Sequence, residues 1–468
     1  MMHLKRNIKR ALIILLALFL LLSVYFYYNL SLYSERWFSN PNNTRVRVDM
    51  VNPEIIPGSI MDRNRNVLVD TKTSTSKDGT TSYYRDYNKN SKYAAHVVGS
   101  KKYGIGGEAL YIRYLLGYDN NLIERIYQKA FLDQEQGNNV ILTIDMDLQK
   151  YISENMGDEK GSVVVMNPQS GEILAMVSQP SFDPSAVNEE PEDESLVNRA
   201  SYGMYPPGSI MKIVTTAAAL EVNEDIGDYT LECKGKTDIG GVPITCYGEK
   251  AHGEVNLSKA MEVSCNAYFA QLAHDIGWKQ LKKTGEAFGF NEDFLFSDIR
   301  MSKSQLPISR RTSLEELAWS SVGQAKVTVT PLHMAMLAST IANGGVMQEP
   351  RLVYGIEGRT GRIQIQSGSK LATPISAEIA EVLKDIMVDV VENGTGSKAK
   401  SKAMLVAGKT GTAEVASDKK PHSWFIGFAP ADKPTLAIAV ILENAGTGSG
   451  NAAPLAGKIL RKASELGY

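Results

Sequence analysis

The sequence is poor in several residue types, and each shortage argues against a class of function. Its 50 lysines and arginines are balanced by 52 aspartates and glutamates, so a net charge of −2 provides no basic field that would attract nucleic acid. Six histidines are scattered along 468 residues and form neither a His-Glu-x-x-His pattern nor any pair spaced as metal ligands. The sequence therefore predicts no nucleic-acid partner, no metal site and no cofactor.

Cysteine is equally scarce, with three residues in the whole chain. Cys233 and Cys246 flank a glycine-rich segment and could close a small disulfide loop, although sequence spacing does not establish the geometry that a disulfide needs. Cys265 would be left over, and we interpret it as a small buried apolar residue. For His252 and His422, which lie near the motifs described below, we expect structural or substrate-lining roles.

One long apolar run, Ala11 to Tyr28, stands out near the N-terminus, and Ser23 is its one polar residue. At roughly 18 residues it reaches the lower limit for a helix that spans a bilayer. Four basic residues between positions 5 and 10 predict a cytoplasmic N-terminus. No small-x-small cleavage site follows the run, which favours an uncleaved anchor over a signal peptide. We therefore predict a cytoplasmic tail at 1–10, a membrane anchor at 11–28 and an extracytoplasmic remainder.

The length predicts two or more structural units beyond the anchor. Residues 29–150 are polar and contain only short β-like pieces, so we predict a small β-rich module there. From about 151 the pattern changes, and apolar strand-like runs lie at 161–166, 172–177, 404–407, 424–428 and 436–442. A mostly helical region at 208–395 separates them, and an amphipathic helix is predicted at 454–466. This order predicts an α/β (α+β) domain over 151–468, in which strands from both ends share one sheet.

The segment Pro206–Val214 is the centre of the functional argument. Two prolines and a glycine force a turn, and an apolar helix is predicted to begin directly after it. Ser209 and Lys212 would then share a helical face, so that the lysine could take the proton of the serine hydroxyl. Ser-x-x-Lys occurs five times in the chain, but only the copy at Ser209 follows a turn and opens an apolar helix.

Two further motifs follow Ser209-x-x-Lys212 along the chain. Ser264-Cys265-Asn266 lies where a predicted helix gives way to a turn, and Lys409-Thr410-Gly411 is predicted to form an exposed strand beside a site. Each motif has a second copy that we interpret as incidental: Ser449-Gly450-Asn451 in a glycine-rich loop, and Lys283-Thr284-Gly285 at the end of a helical stretch. The order Ser-x-x-Lys, Ser-x-Asn, Lys-Thr-Gly, with spacings of 55 and 145 residues, is a specific combination.

With this motif set the chain resembles the class B penicillin-binding proteins, which are bacterial peptidoglycan D,D-transpeptidases. The resemblance extends over nearly all of the chain beyond the anchor, and further matching stretches are Gly58–Asn64, Thr143–Asp145, Asn198–Ala200, Val322–Gln324, Thr330–Leu332 and Trp424–Phe428. It implies a mostly antiparallel five-stranded sheet flanked by helices, with an α-helical subdomain. It also implies that residues 29–150 form a pedestal or dimerisation-like module.

The resemblance also implies a role for each motif position. Ser209 would attack the carbonyl between the two D-alanines of a stem peptide, and Lys212 would take its proton. Ser264 and Lys409 would relay that proton to the departing amine. The remaining implied roles are substrate orientation by Asn266, carboxylate binding by Thr410 and Thr412 around Gly411, and an oxyanion hole from the backbone N–H groups of Ser209 and Thr412.

Three other functions share these motifs. A secreted β-lactamase would need a residue to activate a deacylating water, and no Glu-x-x-Leu-Asn pattern follows Asn266. A β-lactam sensor would need a cytoplasmic effector, whereas about ten residues precede the predicted anchor. A catalytically silent scaffold for wall synthesis would keep the motifs without turnover. Residues 29–150 are too few for a glycosyltransferase, so the resemblance implies a SEDS-type membrane partner within a wall-synthesis complex. It also implies stem-peptide substrates and β-lactam ligands.

Overall fold

The computed structural model describes residues 2–38, 55–76, 81–120, 135–186, 193–223, 226–227, 229–415 and 418–468. Helix α1 (Met2–Phe38) begins the chain. Within it, Arg6–Leu30 is the one stretch among the described helices that is long and apolar enough to cross a membrane, and its apolar side chains are exposed. The predicted anchor at 11–28 therefore lies in one continuous helix.

The segment after α1 contains short elements. They are β1 (Ile60–Met61), β2 (Val67–Thr75), β3 (Thr81–Tyr87), α2 (Ala95–Val98), α3 (Gly107–Leu110), α4 (Ile112–Leu115), β4 (Asn139–Leu142) and α5 (Met146–Met156). Four strands of this segment lie in a six-stranded sheet that also takes β12 (Val353–Glu357) and β13 (Ile363–Ile365), in the order β13-β12-β4-β1-β2-β3. The sheet that begins the β-rich N-terminal module is thus completed by a segment more than 200 residues later in the chain, and the domain boundary at 150 stays a prediction.

The central sheet has five antiparallel strands in the order β15-β16-β17-β5-β6. Its members are β5 (Gly161–Met166), β6 (Ile173–Gln179), β15 (Ala407–Ala413), β16 (His422–Ala429) and β17 (Leu436–Leu442). Because β17 pairs with β5, the C-terminal strands complete the sheet that the early hairpin starts. The predicted five-stranded sheet built from both ends of the domain is confirmed.

Alternation along these strands explains why both sheet faces are covered. In β5, Val163 and Val165 face one apolar cluster, whereas Val164 and Met166 face another. The first cluster is closed by α5 and the C-terminal helix α13 (Ala452–Glu465), and the second by α11 (Pro331–Ala342). A sheet buried on both faces needs apolar residues at successive positions, which is why these strands read as continuous apolar runs.

Helices dominate the segment between β6 and β15. They are α6 (Arg199–Tyr202), α7 (Lys212–Leu220), α8 (Leu257–Glu262), α9 (Asn266–Ala287), α10 (Leu314–Ser321), α11 and α12 (Ala377–Glu392). Short strands that the sequence pattern did not predict lie among them: β7 (Leu231–Cys233), β8 (Lys236–Ile239), β9 (Val242–Thr245), β10 (Gly253–Val255), β11 (Met347–Gln348) and β14 (Lys370–Ala372). These strands are two to four residues long and carry too little alternation to be recognised.

One predicted strand is displaced. The apolar run Met404–Ala407 was expected to form a strand, but β15 begins only at Ala407. The Lys-Thr-Gly motif does lie in a strand as predicted, but Lys409 and Thr410 are buried there rather than exposed. The reason is pairing: Lys409, Thr410 and Gly411 lie opposite Ile426, Phe425 and Trp424 of β16, so long-range ladder bonds rather than local apolarity define the strand. The motif is therefore part of the edge strand of the central sheet.

Candidate active site

The Ser209 turn is held by its backbone. Residues Gly208–Met211 form one 3-10 turn, and α7 begins at Lys212, as the breaker cluster predicts. Gly208 donates its N–H to the carbonyl of Gly323 at 2.9 Å, and the Trp424 indole donates to the Pro206 carbonyl at 3.0 Å. Gly208 has a φ of +57°, and a Cβ there would lie 2.7 Å from the Thr412 carbonyl oxygen. Only glycine allows the turn to approach β15 this closely.

Lys212 points into the protein interior and is fully buried. Its Nζ lies 2.8 Å from the backbone oxygen of Ser264, 3.1 Å from Ser264 Oγ and 2.7 Å from Asn266 Oδ1. Burial lowers the pKa of Lys212 to about 8, against opposing contributions from the sulfurs of Cys265 and Cys246. Among the hydrogen bonds that join described residues, none connects Ser209 Oγ directly to Lys212 Nζ.

Lys409 reaches the same hydroxyl from the opposite side. Its Nζ donates to the Thr410 carbonyl at 2.9 Å and lies 3.1 Å from Ser264 Oγ. Burial, and then the positive charge of Lys212, hold the pKa of Lys409 well below its ordinary value. Two ammonium groups that are buried and contact one hydroxyl would repel each other strongly, so this arrangement favours at least one neutral amine.

The Ser264-Cys265-Asn266 motif connects α8 to α9. Ser264 adopts a φ of +57°, a left-handed conformation that is strained for any residue other than glycine and is typical of functional sites. Asn266 begins α9, and its Nδ2 donates to the Thr245 carbonyl at 2.9 Å while its Oδ1 accepts from Lys212. Because the amide nitrogen donates to a carbonyl and the amide oxygen accepts from an amine, the side chain is fixed in one orientation.

A cavity of about 810 Å³ opens beside these groups. Ser209, Ser264, Asn266, Thr410 and Thr412 all line it, whereas Lys212 and Lys409 lie buried beneath. Thr410 Oγ1 donates to Thr395 Oγ1 at 2.7 Å, and Thr412 Oγ1 accepts from the Gly448 N–H at 3.3 Å. The structure thus brings together all eight predicted site residues, since Gly411 lies in β15 between the two threonines.

Several cavity residues were missed by sequence reasoning. They are Thr245, Trp319, Gln324, Asn393, Thr395, Thr447 and Ser449. Ser449 belongs to the Ser-x-Asn copy that was predicted to be incidental; it lines the cavity because Gly448, beside it, packs against the paired residues Gly411 and Trp424 of β15 and β16. The second Lys-Thr-Gly copy does lie apart: Thr284 is buried inside α9 and donates to Glu221 at 2.8 Å. Its glycine lies within the helix rather than capping it.

The three cysteines and His252 converge beside the cavity, which Cys246 and His252 line. Cys233, Cys246 and Cys265 are buried and free, with sulfur–sulfur distances of 3.7 Å and 3.8 Å from Cys246 to the other two. The disulfide that sequence left open between Cys233 and Cys246 is not formed. His252 completes the group, with all four ligand-type atoms within 4.8 Å of one another. Spacing along the chain indicated no metal-ligand pair, whereas the fold brings His252 into a group of four side chains that could hold a metal ion.

Comparison with known proteins places this geometry in a family. The model of the penicillin binding protein transpeptidase domain matches residues 161–461. The chain belongs to this family of penicillin-binding protein transpeptidases. Its enzyme class is accordingly that of a serine-type D,D-transpeptidase.

Relatives and solved structures agree with the assignment. The peptidoglycan D,D-transpeptidase PbpA of Mycolicibacterium smegmatis is 33% identical over 82% of this chain and 84% of its own length. The peptidoglycan D,D-transpeptidase MrdA of Haemophilus influenzae is 33% identical over 69% of this chain and 56% of its own. The ceftriaxone acyl-enzyme of penicillin-binding protein A from M. tuberculosis superposes with a TM-score of 0.80 at 29% identity, covering 89% of this chain and 99% of that one.

The contact between Gly323 and the Ser209 turn gives a first prediction. A Cβ on Gly323, at a φ of +77°, would lie 2.1 Å from the Gly208 carbonyl oxygen. We expect Gly323→Ala to displace Ser209 and to slow acylation by a fluorescent penicillin about 100-fold, since a displacement of this kind is costly at a reacting centre. Stopped-flow or gel-based labelling would measure it.

Gly344→Ala is the matched control. Gly344 has a similar φ of +60°, but a Cβ there meets nothing within 4 Å. This variant should carry the same backbone strain, about 1 kcal/mol, and label at the wild-type rate. Equal labelling of both alanine variants would contradict the assigned role of the Gly323 contact.

Proposed function

We propose that this chain is a membrane-anchored peptidoglycan D,D-transpeptidase that crosslinks stem peptides through an acyl-enzyme on Ser209. The observation that carries the proposal is the position of Ser264 Oγ, 3.1 Å from both Lys212 Nζ and Lys409 Nζ, on the wall of the cavity that also exposes Ser209. A hydroxyl between two buried amines can pass a proton in either direction. Acyl transfer needs that ability twice, once in each half of the reaction.

Acylation begins with Ser209. Its hydroxyl attacks the carbonyl between the two D-alanines of a stem peptide, and neutral Lys212 takes the proton. Burial supports the assignment, because a lysine whose pKa is about 8 is neutral in about a tenth of the molecules at pH 7, far more than at its ordinary pKa. Lys212 is already oriented by Ser264 and Asn266. A small movement of the side chain or of Ser209 brings the two groups into contact when substrate binds.

The same proton then leaves with the amine. From Lys212 it passes to Ser264 Oγ, and the Ser264 hydroxyl protonates the departing D-alanine nitrogen as the C–N bond breaks. Lys409 supports this transfer from the other side of the hydroxyl, at 3.1 Å. In the second half of the reaction, the amine of another stem peptide attacks the acyl-enzyme and the relay runs in reverse, which forms the crosslink and restores Ser209.

Substrate binding falls to the edge strand. Among the described strands β15 pairs with β16 alone, so its other edge can receive an extended peptide. Thr410 and Thr412, two positions apart in the strand, both line the cavity. We propose that their hydroxyls bind the terminal carboxylate of the substrate. The backbone N–H groups of Ser209 and Thr412 form the oxyanion hole, a role supported by the close approach of Gly208 to Thr412. Asn266 orients the substrate amide.

The remaining parts of the proposal concern location and partners. The helix at Arg6–Leu30 anchors the chain, with residues 1–10 in the cytoplasm because the basic residues precede the apolar run. Residues 29–150 then form the pedestal that raises the transpeptidase domain, residues 151–468, above the membrane. Uncrosslinked glycan is supplied by a SEDS-type glycosyltransferase in the same wall-synthesis complex. The proposed reaction requires no cofactor.

Covalent labelling with a penicillin distinguishes this function from its alternatives. We expect the full chain in detergent to form a stable penicillin adduct that mass spectrometry locates on Ser209, and Ser209→Ala to abolish it. The matched control is Ser397→Ala, which removes the serine of an exposed Ser-x-x-Lys copy and should label normally. With glycan strands that carry pentapeptides, the wild type should release D-alanine and produce crosslinked muropeptides.

Each failure has a distinct meaning. Rapid drug hydrolysis would establish a β-lactam hydrolase instead. A stable adduct without crosslinks, even with the glycosyltransferase present, would favour a catalytically silent scaffold. An adduct on any serine other than Ser209 would overturn the assignment of the nucleophile.

The pKa of Lys212 predicts a pH profile. Burial lowers it to about 8, and only the neutral amine can accept the Ser209 proton. The acylation rate should therefore rise with pH, by about tenfold per unit below pH 8, and level off above it. Lys212→Arg, which stays protonated, should lose acylation and the pH dependence together. A wild-type rate that is flat from about pH 6 to about pH 9 would contradict Lys212 as the base.

A further inference from the structure

Four side chains outside the catalytic group share one small volume. Cys233 ends β7, Cys246 follows β9, His252 precedes β10, and Cys265 is the N-cap residue of α9. Three of the four are buried, and His252 is half-buried at the cavity wall. Their ligand-type atoms all lie within 4.8 Å of one another, although the residues span 33 positions of sequence.

Three distances between the ligand-type atoms match those of a tetrahedral metal site. Zinc binds cysteine sulfur at about 2.3 Å and histidine nitrogen at about 2.0 to 2.1 Å, so tetrahedral angles place two sulfurs about 3.8 Å apart and sulfur and nitrogen about 3.6 Å apart. In the structure, Cys246 Sγ lies 3.7 Å from Cys233 Sγ and 3.8 Å from Cys265 Sγ. Cys233 Sγ lies 3.5 Å from His252 Nδ1.

A disulfide explains this arrangement less well. Disulfide sulfurs lie about 2.05 Å apart, and a bond joins one pair only. Cys246 instead lies at nearly equal distances from two sulfurs, and a histidine nitrogen completes the group. Three thiols around one imidazole form a common ligand set of structural zinc.

We propose that Cys233, Cys246, His252 and Cys265 bind one structural Zn²⁺ ion. On binding, the three thiols release their protons and neutral His252 contributes Nδ1, which closes a four-coordinate site with no open position. Thiolate ligands favour zinc over magnesium, calcium and manganese, which prefer oxygen ligands.

The site is joined to the catalytic group through the chain itself. Cys265 stands between Ser264 and Asn266, so a metal bound to it limits movement of both neighbours. Cys246 follows Thr245, whose carbonyl accepts the Asn266 Nδ2 hydrogen bond at 2.9 Å. The metal would therefore hold both partners of that hydrogen bond, and we assign the four ligands as positioning residues.

Metal content tests the site independently of any activity. We expect full chain purified in detergent under reducing conditions, then incubated with zinc and desalted, to hold about one zinc per chain by mass spectrometry of the metal. Cys233→Ser and His252→Gln should lower zinc affinity at least tenfold. The matched control is His274→Gln, since His274 is an exposed histidine on α9, and it should bind zinc as the wild type does.

Cobalt gives a signature of the ligand set. Replacement of zinc by Co²⁺ should give intense visible d–d bands of a tetrahedral ion and a near-ultraviolet thiolate-to-cobalt band, both weaker in Cys233→Ser. Absence of bound metal in the wild type, or unchanged zinc affinity in both ligand variants, would overturn the proposal. A Cys233–Cys246 or Cys246–Cys265 disulfide in protein isolated from the cell envelope, with no zinc, would overturn it in favour of a redox pair.

The effect of the metal on the active site is tested with the wild-type protein, because a variant can lose activity through a folding defect alone. This arm rests on the proposed function, whereas the metal and cobalt arms do not. Zinc removal by a chelator should slow penicillin acylation about tenfold and lower the melting temperature, and added zinc should restore both. Bound zinc with an acylation rate that is unaffected by its removal would refute the positioning role and leave the metal site intact.

Discussion

The structure around the cavity depends on burying two lysine amines against one hydroxyl. Neither Lys212 nor Lys409 is exposed, and within the described residues neither has a carboxylate hydrogen-bonded to its amine. Such burial normally costs several kcal/mol for a charged group, so the protein shifts the lysines toward their neutral forms instead. The result is a pair of amines that can exchange protons with Ser264. Burying the two amines lowers the stability of the fold at this point, but it leaves amines that can accept and donate a proton.

The rest of the fold keeps that arrangement rigid. The edge strand β15 presents Lys409, while the Ser209 turn is held against it by Gly208, Gly323 and the Trp424 indole. Behind β15, strands buried on both faces leave little freedom to move. Ser264 keeps its left-handed conformation because α8 and α9 fix the backbone on either side. Strain of this kind persists only where the surroundings over-determine it.

A second constraint lies on the other side of the same motif. Cys265, the middle residue of Ser264-Cys265-Asn266, is buried and joins the cluster with Cys233, Cys246 and His252, whereas Ser264 and Asn266 line the cavity. One short segment thus carries two side chains of the catalytic group and one ligand-type side chain. A motif that connects two helices gains order from both sides, and the hydrogen bond from Asn266 to Thr245 joins the two regions.

The sequence by itself determined the elements whose signals are local. The Pro206–Gly208 breakers and the apolar run after them specified the Ser209 turn, strand β17 was predicted at its observed bounds of Leu436–Leu442, and the order of motifs indicated the family. Only the tertiary structure decided which residues meet. Ser449 reaches the cavity wall, and β12 and β13 complete a distant sheet through contacts with no local signal. The cluster of Cys233, Cys246, His252 and Cys265 is the clearest case, because its ligand-type atoms meet within 4.8 Å in space and spacing along the chain does not encode that proximity.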